Sequence, residues 1–249
     1  MLPRLRLYFT VAVNALVLLS CHIDQVQIEA GVDREIVLID MGYEDRKFIG
    51  ELLLKIDSCK PKAIVIVATF LGRKDREQDS VLITALQRIK NDLLIYSLDS
   101  LNRLQYSDDR FRKHVMYEGL MLFDGEFRLV SHMRPVRTIN GNKHTSISLQ
   151  VVKLTHPSVK HNYKPDQRFP ISYTKMSEQL ITFYGLDFDN VEKEILRDKI
   201  VILGYLDTSD EKKYRTPLRF LYELPDDEPD TYSAVILANE IRTLIGKKK

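Results

Sequence analysis

The chain has 249 residues, no tryptophan and only two cysteines. Two cysteines cannot staple a disulfide scaffold, so the fold must rest on a hydrophobic core. Glycine (10) and proline (9) are too scarce for a collagen-like or low-complexity chain. An excess of one charge is missing too. Lys and Arg total 37 against 35 Asp and Glu, so the net charge of +2 gives no global field to draw nucleic acid. No uncharged stretch is long enough for a polytopic membrane protein. What remains is an ordinary globular balance, 44% hydrophobic and 29% charged. It has room for one large α/β domain or two small ones.

The N-terminus stands apart. Arg4 and Arg6 precede Leu7 to Ser20, which is 14 residues without a charge. A spanning helix needs about 20 apolar residues, so the run has the length of a signal-peptide core behind a basic flank. Leu18-Leu19-Ser20-Cys21 resembles a bacterial lipobox, which implies cleavage before Cys21 and acylation of its sulfur. Three readings stay open: a lipoprotein signal, an uncleaved signal-anchor helix, or a buried first element of a cytosolic domain. The first two place Asp24 onward outside the cytoplasm.

Beyond the leader the hydrophobic periodicity alternates between strand and helix. Glu35 to Asp40 carries four consecutive aliphatic residues closed by an acid, which predicts a buried parallel strand. Asp45 to Ser58 has Phe48, Ile49, Leu52, Leu53 and Ile56 at helical spacing. Ala63 to Val67 is a second strand, Leu71 to Asp79 a solvated charged loop, Ser80 to Lys90 a second helix, and Asp92 to Tyr96 a third strand. This β-α-β-α-β run predicts a parallel sheet with covering helices. Residues 99–116 are polar and irregular. Glu118 to Val130 reads as a hairpin turning at Asp124-Gly125, and Asn140-Gly141 as a second turn. Ser146 to Leu154 is predicted helical, 155–169 an exposed loop, and Phe169 to Tyr173 a short strand pushed to an edge by Pro170. A short helix at 188–197, a buried strand at 199–204, a charged loop at 205–231 and a closing helix at 233–246 complete the chain.

Chemical signatures are sparse. Asp40 ends the first strand, where open α/β sheets bind ligands. It can bind a cation or a hydroxyl there, or cap a helix and tie a loop. Gly204, Asp207, Thr208 and Ser209 follow the last strand and offer the same pair of readings. A single glycine makes neither a dinucleotide fingerprint nor a phosphate loop. The six histidines and two cysteines show no zinc-ligand spacing, and no G-x-S-x-G elbow occurs. Cys59 reads as a structural thiol. No metal and no cofactor are expected.

The order of several short motifs carries a family resemblance. Ile36 to Asp40, Lys62-Ala63-Ile64 with its strand down to Phe70, and Asp79 with Leu82 resemble the first half of the type-two CHASE domain (cyclase/histidine-kinase-associated sensory extracellular). Gly119 to Arg128 resembles its D-G-x-x-R hairpin, and Ser146 to Val152 its S-x-x-L helix. Leu196 to Gly204 resembles L-x-x-K-I-V-x-x-G, Thr216-Pro217 the following T-P, and Ile236 to Asn239 the closing I-H-A-N. The resemblance covers roughly residues 35–245. Val67, Leu237 and Ser233 stand where the family often has Asp, His and Gly. Tyr43 to Arg46 replaces its tryptophan-proline segment. These departures mark a divergent branch.

The resemblance implies an α/β fold: a mostly parallel central sheet with helices on both faces and an inserted β-hairpin region. The organisation read is a signal peptide or membrane anchor at 1–21 and one sensory domain at 22–249. The chain carries no kinase or cyclase motif of its own. The function implied is an extracytoplasmic sensory or ligand-binding domain of a signalling system. It is membrane-anchored through its N-terminus, periplasmic or on the cell surface, and not an enzyme. Alternatives are an envelope protein-interaction module, suggested by the long loops, and a small α/β enzyme, suggested by Asp40 and Asp207. Partners are a small-molecule or envelope ligand, a membrane signalling partner and the membrane itself, but not nucleic acid. The ligand-site candidates are Asp40, Tyr43, Thr69, Phe70, Gly204, Asp207 and Thr216 at the carboxyl edge of the sheet, with Cys21 as the lipidation site.

Overall fold

The structure, a computed structural model, describes residues 31–126, 129–159, 161–206, 213–222 and 229–246. Cys21 and Asp207 lie outside the described residues.

The centre of the molecule is a sheet of parallel strands. Strands β1 (Ile36–Asp40), β2 (Ala63–Ile66), β3 (Asp92–Leu98), β5 (Tyr117–Leu120), β11 (Ile181–Tyr184) and β12 (Ile200–Gly204) lie in the order β11-β1-β12-β2-β3-β5. A short β4 (Leu104–Gln105) pairs antiparallel with the far end of β3. β12 therefore inserts between β1 and β2, in register Val37↔Val201 and Val201↔Ile64. Every residue of β1, β2 and β12 is buried. Burial on both faces explains why their sequences are unbroken aliphatic runs rather than alternating ones.

The helices on one face are α1 (Arg46–Ser58) and α2 (Arg76–Arg88). They pack on Val37, Ile39, Ile64, Ile66, Leu94, Val201 and Leu203. Asp45 starts α1 by accepting from the Phe48 amide at 2.9 Å. Lys60 ends that segment with a left-handed φ of 58°, and Pro61 bars its continuation. Asp75 caps α2 through the Glu77 and Gln78 amides. The expected solvated loop over 71–79 is thus half helix, because its acids sit where a helix N-terminus needs them. Asp79, expected in solvent, is buried.

The opposite face carries α4 (Ile147–Thr155) and α7 (Ser233–Gly246), packed on Ile36, Leu38, Val65, Leu93, Ile200 and Ile202. Along α7, Asn239 is fully buried. Its Oδ1 accepts from the Thr174 and Lys175 amides, and its Nδ2 donates to the Lys175 and Val235 carbonyls. This asparagine of the closing motif therefore docks the 172–175 segment on the helix.

The inserted region differs from expectation. The predicted hairpin over 118–130 is split: β5 joins the main sheet beside β3. The hairpin consists of β6 (Asp124–Glu126) and β7 (Leu129–Met133). Asp124-Gly125 lies in a strand, where the register shifts by a bulge, and not in the turn. β10 (Phe169–Pro170) is shorter than expected and borders β7, with Pro170 at an edge. β8 (Val136–Ile139) and β9 (Asn142–Thr145) form the second hairpin around Asn140-Gly141, both at positive φ as a primed turn requires.

Three short helices complete the frame: α3 (Asp109–Arg112), α5 (Lys193–Leu196) and α6 (Arg219–Tyr222). The helix expected over 188–197 is a 3-10 helix at Gly185–Asn190 followed by α5. Strands β13 (Lys213–Tyr214) and β14 (Thr231–Tyr232) pair within the expected 205–231 loop. Among the described residues no helix is long and apolar enough to cross a membrane.

Candidate functional site

The connection from β2 runs to α2 on one face, while that from β12 runs to α7 on the other. Adjacent strands whose connections diverge leave a crevice at their carboxyl ends. A cleft of about 590 Å³ opens there. Its floor is Val67, Ala68 and Thr69 after β2, with Ile95, Ser97 and Leu98 of β3. Its walls are Met121 to Phe123 after β5, Tyr205 after β12, Tyr214 of β13 and Ser233 at the start of α7. Phe123 and Tyr214 meet edge to face, ring centroids 4.9 Å apart, and stiffen one side.

The chemistry of the lining is uniform. Among the described residues that line the cleft none is charged. Hydroxyls come from Thr69, Ser97, Ser233, Tyr205 and Tyr214, and apolar surface from Val67, Ile95, Leu98, Met121, Leu122 and Phe123. Among the described residues the lining has neither the paired carboxylates of acid–base hydrolysis nor a cationic cradle for phosphate. It suits a neutral molecule with an apolar body and hydrogen-bonding groups. Among the described residues no three His, Cys, Asp or Glu side chains gather as a metal site.

The candidates named from sequence fall in different places. Thr69 lines the cleft. Gly204 stands behind it: a Cβ there would lie 3.3 Å from that of Val67 and 3.7 Å from that of Ala234. Asp40 is buried, and its Oδ1 accepts from the Gly42 and Leu206 amides at 3.0 and 3.1 Å. It ties together the turns after β1 and β12, the loop-bonding alternative. Tyr43 is 65% exposed and outside the cleft lining. Phe70 is buried against Phe111 on the α2 face, away from the cleft. Thr216 is fully buried. Its hydroxyl joins Asp230 Oδ1 and Thr231 Oγ1, at 3.1 and 2.8 Å, and accepts from the Leu218 amide. Burial, outweighing these bonds, raises the Asp230 pKa above the ordinary carboxylate value.

Sequence reading missed Ser97, Met121 to Phe123, Tyr205, Tyr214 and Ser233. Ser233 and Val67 were noted only as departures from a family pattern, and both line the cleft. Leu237, the third departure, is buried one turn further along α7.

A family model described as the CHASE2 domain matches residues 18–249. The chain belongs to the CHASE2 domain family. CHASE2 domains are extracytoplasmic sensory modules, so the sensory role and the parallel α/β sheet expected from the motifs both stand. Comparison with curated proteins and with solved structures found no match.

Among the CHASE2 motif residues, the structural ones explain themselves. Asp79 binds Arg46 and Arg110, Leu82 and Leu196 are fully buried, and Thr216 and Asn239 satisfy backbone groups. None of these five lines the cleft. These five build the frame, while the motif stretches ending at Phe70 and starting at Gly119 also bring Thr69 and Met121 to Phe123 to the cleft. The cleft is lined partly by positions where this chain departs from the shared motifs.

Proposed function

We propose that this chain is a membrane-tethered CHASE2 sensory domain whose cleft takes an uncharged small molecule, apolar in body and polar at its rim. The supporting observation is the placement of the cleft at the diverging connections of β2 and β12, with a lining half apolar and half hydroxyl-bearing. Thr69, Ser97 and Ser233 orient the ligand. Met121, Leu122 and the Phe123–Tyr214 pair cover its apolar part. Tethering rests on the basic flank, the uncharged run to Ser20 and the lipobox-like Leu18 to Cys21. A multiply acylated Cys21 would hold the domain firmly at a membrane, where one chain would not. Signalling then passes to a membrane partner.

Two experiments test the reading. A thermal-shift screen of uncharged metabolites on the full chain should yield binders whose effect disappears in Ser97→Phe, which fills the cleft. Binders that shift both proteins equally would sink the cleft assignment. Separately, fractionation of host cells with wild type and Cys21→Ala, followed by intact mass, should show an acylated membrane form lost in the variant. A soluble cytoplasmic protein with residues 1–20 intact would refute tethering.

A second reading, an envelope protein-interaction module, is supported by Tyr43, Tyr184 and Leu186, which are 65, 55 and 67% exposed. Tyr43 follows β1, and Tyr184 and Leu186 lie at the end of the neighbouring β11, where a Cβ on Gly185 would touch the Asp40 carbonyl. Triple alanine substitution there would abolish capture of an envelope partner and leave the cleft binders unchanged.

A further inference from the structure

Glu240 is the eighth residue of the fourteen-residue α7, and only 5% of it is exposed. A carboxylate so placed needs strong partners. The direct hydrogen bond it receives is from the Ser148 hydroxyl of α4. That hydroxyl lies 3.0 Å from Ser146 Oγ, which in turn accepts from the Leu149 amide. With Glu240 ionised the chain runs Leu149 to Ser146, Ser146 to Ser148, Ser148 to Glu240; a neutral carboxyl can instead donate to Ser148.

The charged groups facing Glu240 are already engaged with each other. Arg137 of β8 pairs with Asp124 of β6, and Arg134 contacts the same carboxylate at 3.0 Å. Arg137 favours the ionised form of Glu240, while Asp124 opposes it. From the segment after β10, Tyr173 is fully buried and donates its proton to the Val130 carbonyl at 2.7 Å. Lys175, the next cation on that segment, is close to Asn239, whose Oδ1 accepts from its amide. On α7 itself, Arg242 is held by Asp33 and Glu35. The face of β12 beneath the helix is aliphatic. An ionised Glu240 is thus left with one neutral hydroxyl and a guanidinium shared with Asp124.

We propose that Glu240 is a proton-operated latch between α7 and α4, closed when the carboxyl is neutral and loosened when it ionises. In the neutral state the carboxyl fits the serine chain without net charge, and the two helices share one apolar cluster that includes Val151, Val152, Ile236 and Ile241. On ionisation, the buried charge pulls Arg137 from Asp124 or water into the interface, and either event weakens the α4–α7 contact. Burial pushes the Glu240 pKa up to about 8, against a bond from Ser148 and attraction to Arg137 that lower it. The latch therefore works at mildly alkaline pH. A domain outside the cytoplasm meets such values directly.

The test is a carbon-13 titration of the glutamate carboxyls of the full chain from pH 6 to 10. One resonance should titrate with a midpoint near 8 and be missing in Glu240→Gln. Ser148→Ala, which removes the bond favouring the charged form, should move that midpoint upward. Protection of amides in α4, α7 and the β8–β9 hairpin, after division by intrinsic exchange, should fall between pH 6 and 8 in wild type and level off above that. The unfolding constant should rise towards tenfold per pH unit between the ordinary glutamate range and the midpoint, and level off above it. In Glu240→Gln this pH-linked part should vanish. A spectrum in which every glutamate titrates below pH 6, a midpoint unmoved by Ser148→Ala, or protection in α4 and α7 unchanged between pH 6 and 8 in wild type would each overturn the latch.

Discussion

Arg46 at the start of α1 places Nη1 2.6 Å from Asp79 Oδ1 in the first turn of α2. The same guanidinium donates to the carbonyls of Leu71 and Gly72, and Arg110 closes on Asp79 Oδ2 at 2.8 Å. Two helices and the loop between β2 and α2 are thereby fixed by one carboxylate.

Replacing that carboxylate should be costly. Asp79→Ala leaves Arg46, its side chain 8% exposed, without its counter-ion, and should lower stability by about 3 kcal/mol in urea unfolding. The pH dependence has a definite sign. Burial raises the Asp79 pKa, but the bonds from Arg46 and Arg110 outweigh it and bring the pKa below the ordinary value. The ion pair's contribution is therefore complete above about pH 4 and lost as the pH falls through the depressed value. The wild type should lose more stability than Asp79→Asn between pH 5 and pH 2.

Asp92 behaves in the opposite way. It opens β3 at 0% exposure, with Oδ1 accepting from the Met116 amide at 3.0 Å. Burial raises its pKa to about 6. The stability linked to its neutral form is present below about pH 4 and lost as pH rises through 6. Between pH 4 and pH 8, Asp92→Asn should gain about 2–3 kcal/mol relative to wild type in denaturant titrations. Equal differences at the two pH values would refute the assignment. The Asp92 effect ends near pH 6 and that of Glu240 near pH 8, so the slope between 6 and 8 separates the two groups in one pH series.

Gly119 and Gly141 should respond to alanine for different reasons. A Cβ on Gly119 would lie 2.5 Å from Ile147 Cα, so β5 and α4 would have to part. Gly119→Ala should cost about 3 kcal/mol. Gly141 has open space around it but a φ of 78°, so Gly141→Ala should cost only about 1 kcal/mol, through strain in the hairpin turn. Thermal unfolding of the two variants should rank them in that order.

Thr216 was a ligand candidate in the sequence and is a structural clasp in the fold. Thr216→Val removes a hydroxyl that joins Asp230, Thr231 and the Leu218 amide. It should cost about 2 kcal/mol by chemical denaturation. Thr216→Ser should recover most of that loss and leave any cleft binder's affinity unchanged. Loss of binding in a stable Thr216→Ser protein would return the residue to the site.

Legibility followed burial. β1, β2 and β12 could be read from sequence because strands buried on both faces cannot avoid continuous aliphatic runs. β11 could not, because Ile181 and Phe183 are half-buried and alternate with exposed Thr182 and Tyr184. That pattern in four residues is indistinguishable from loop. Asp124-Gly125 misled because its turn chemistry also serves a bulge. The charged stretch before α2 misled because capping acids look like a solvated loop until the helix behind them is known. The site was legible only as an edge. Thr69, which lines the cleft, was named because it follows a recognisable strand. Ser97, Phe123, Tyr214 and Ser233 were missed, since they meet only once β12 lies between β1 and β2. No local pattern encodes that insertion.

The position of β12 also sets when the domain can exist. Its central seam joins Val37 to Val201 and Val201 to Ile64, residues far apart along the chain. Until Gly204 has left the ribosome nothing can bridge β1 to β2, although β2, β3 and β5 can already pair. Closure of so long a loop makes folding late and slow. A nascent chain therefore carries two separate pieces of one sheet, β1 on one side and β2-β3-β5 on the other, until the strand that joins them has been made.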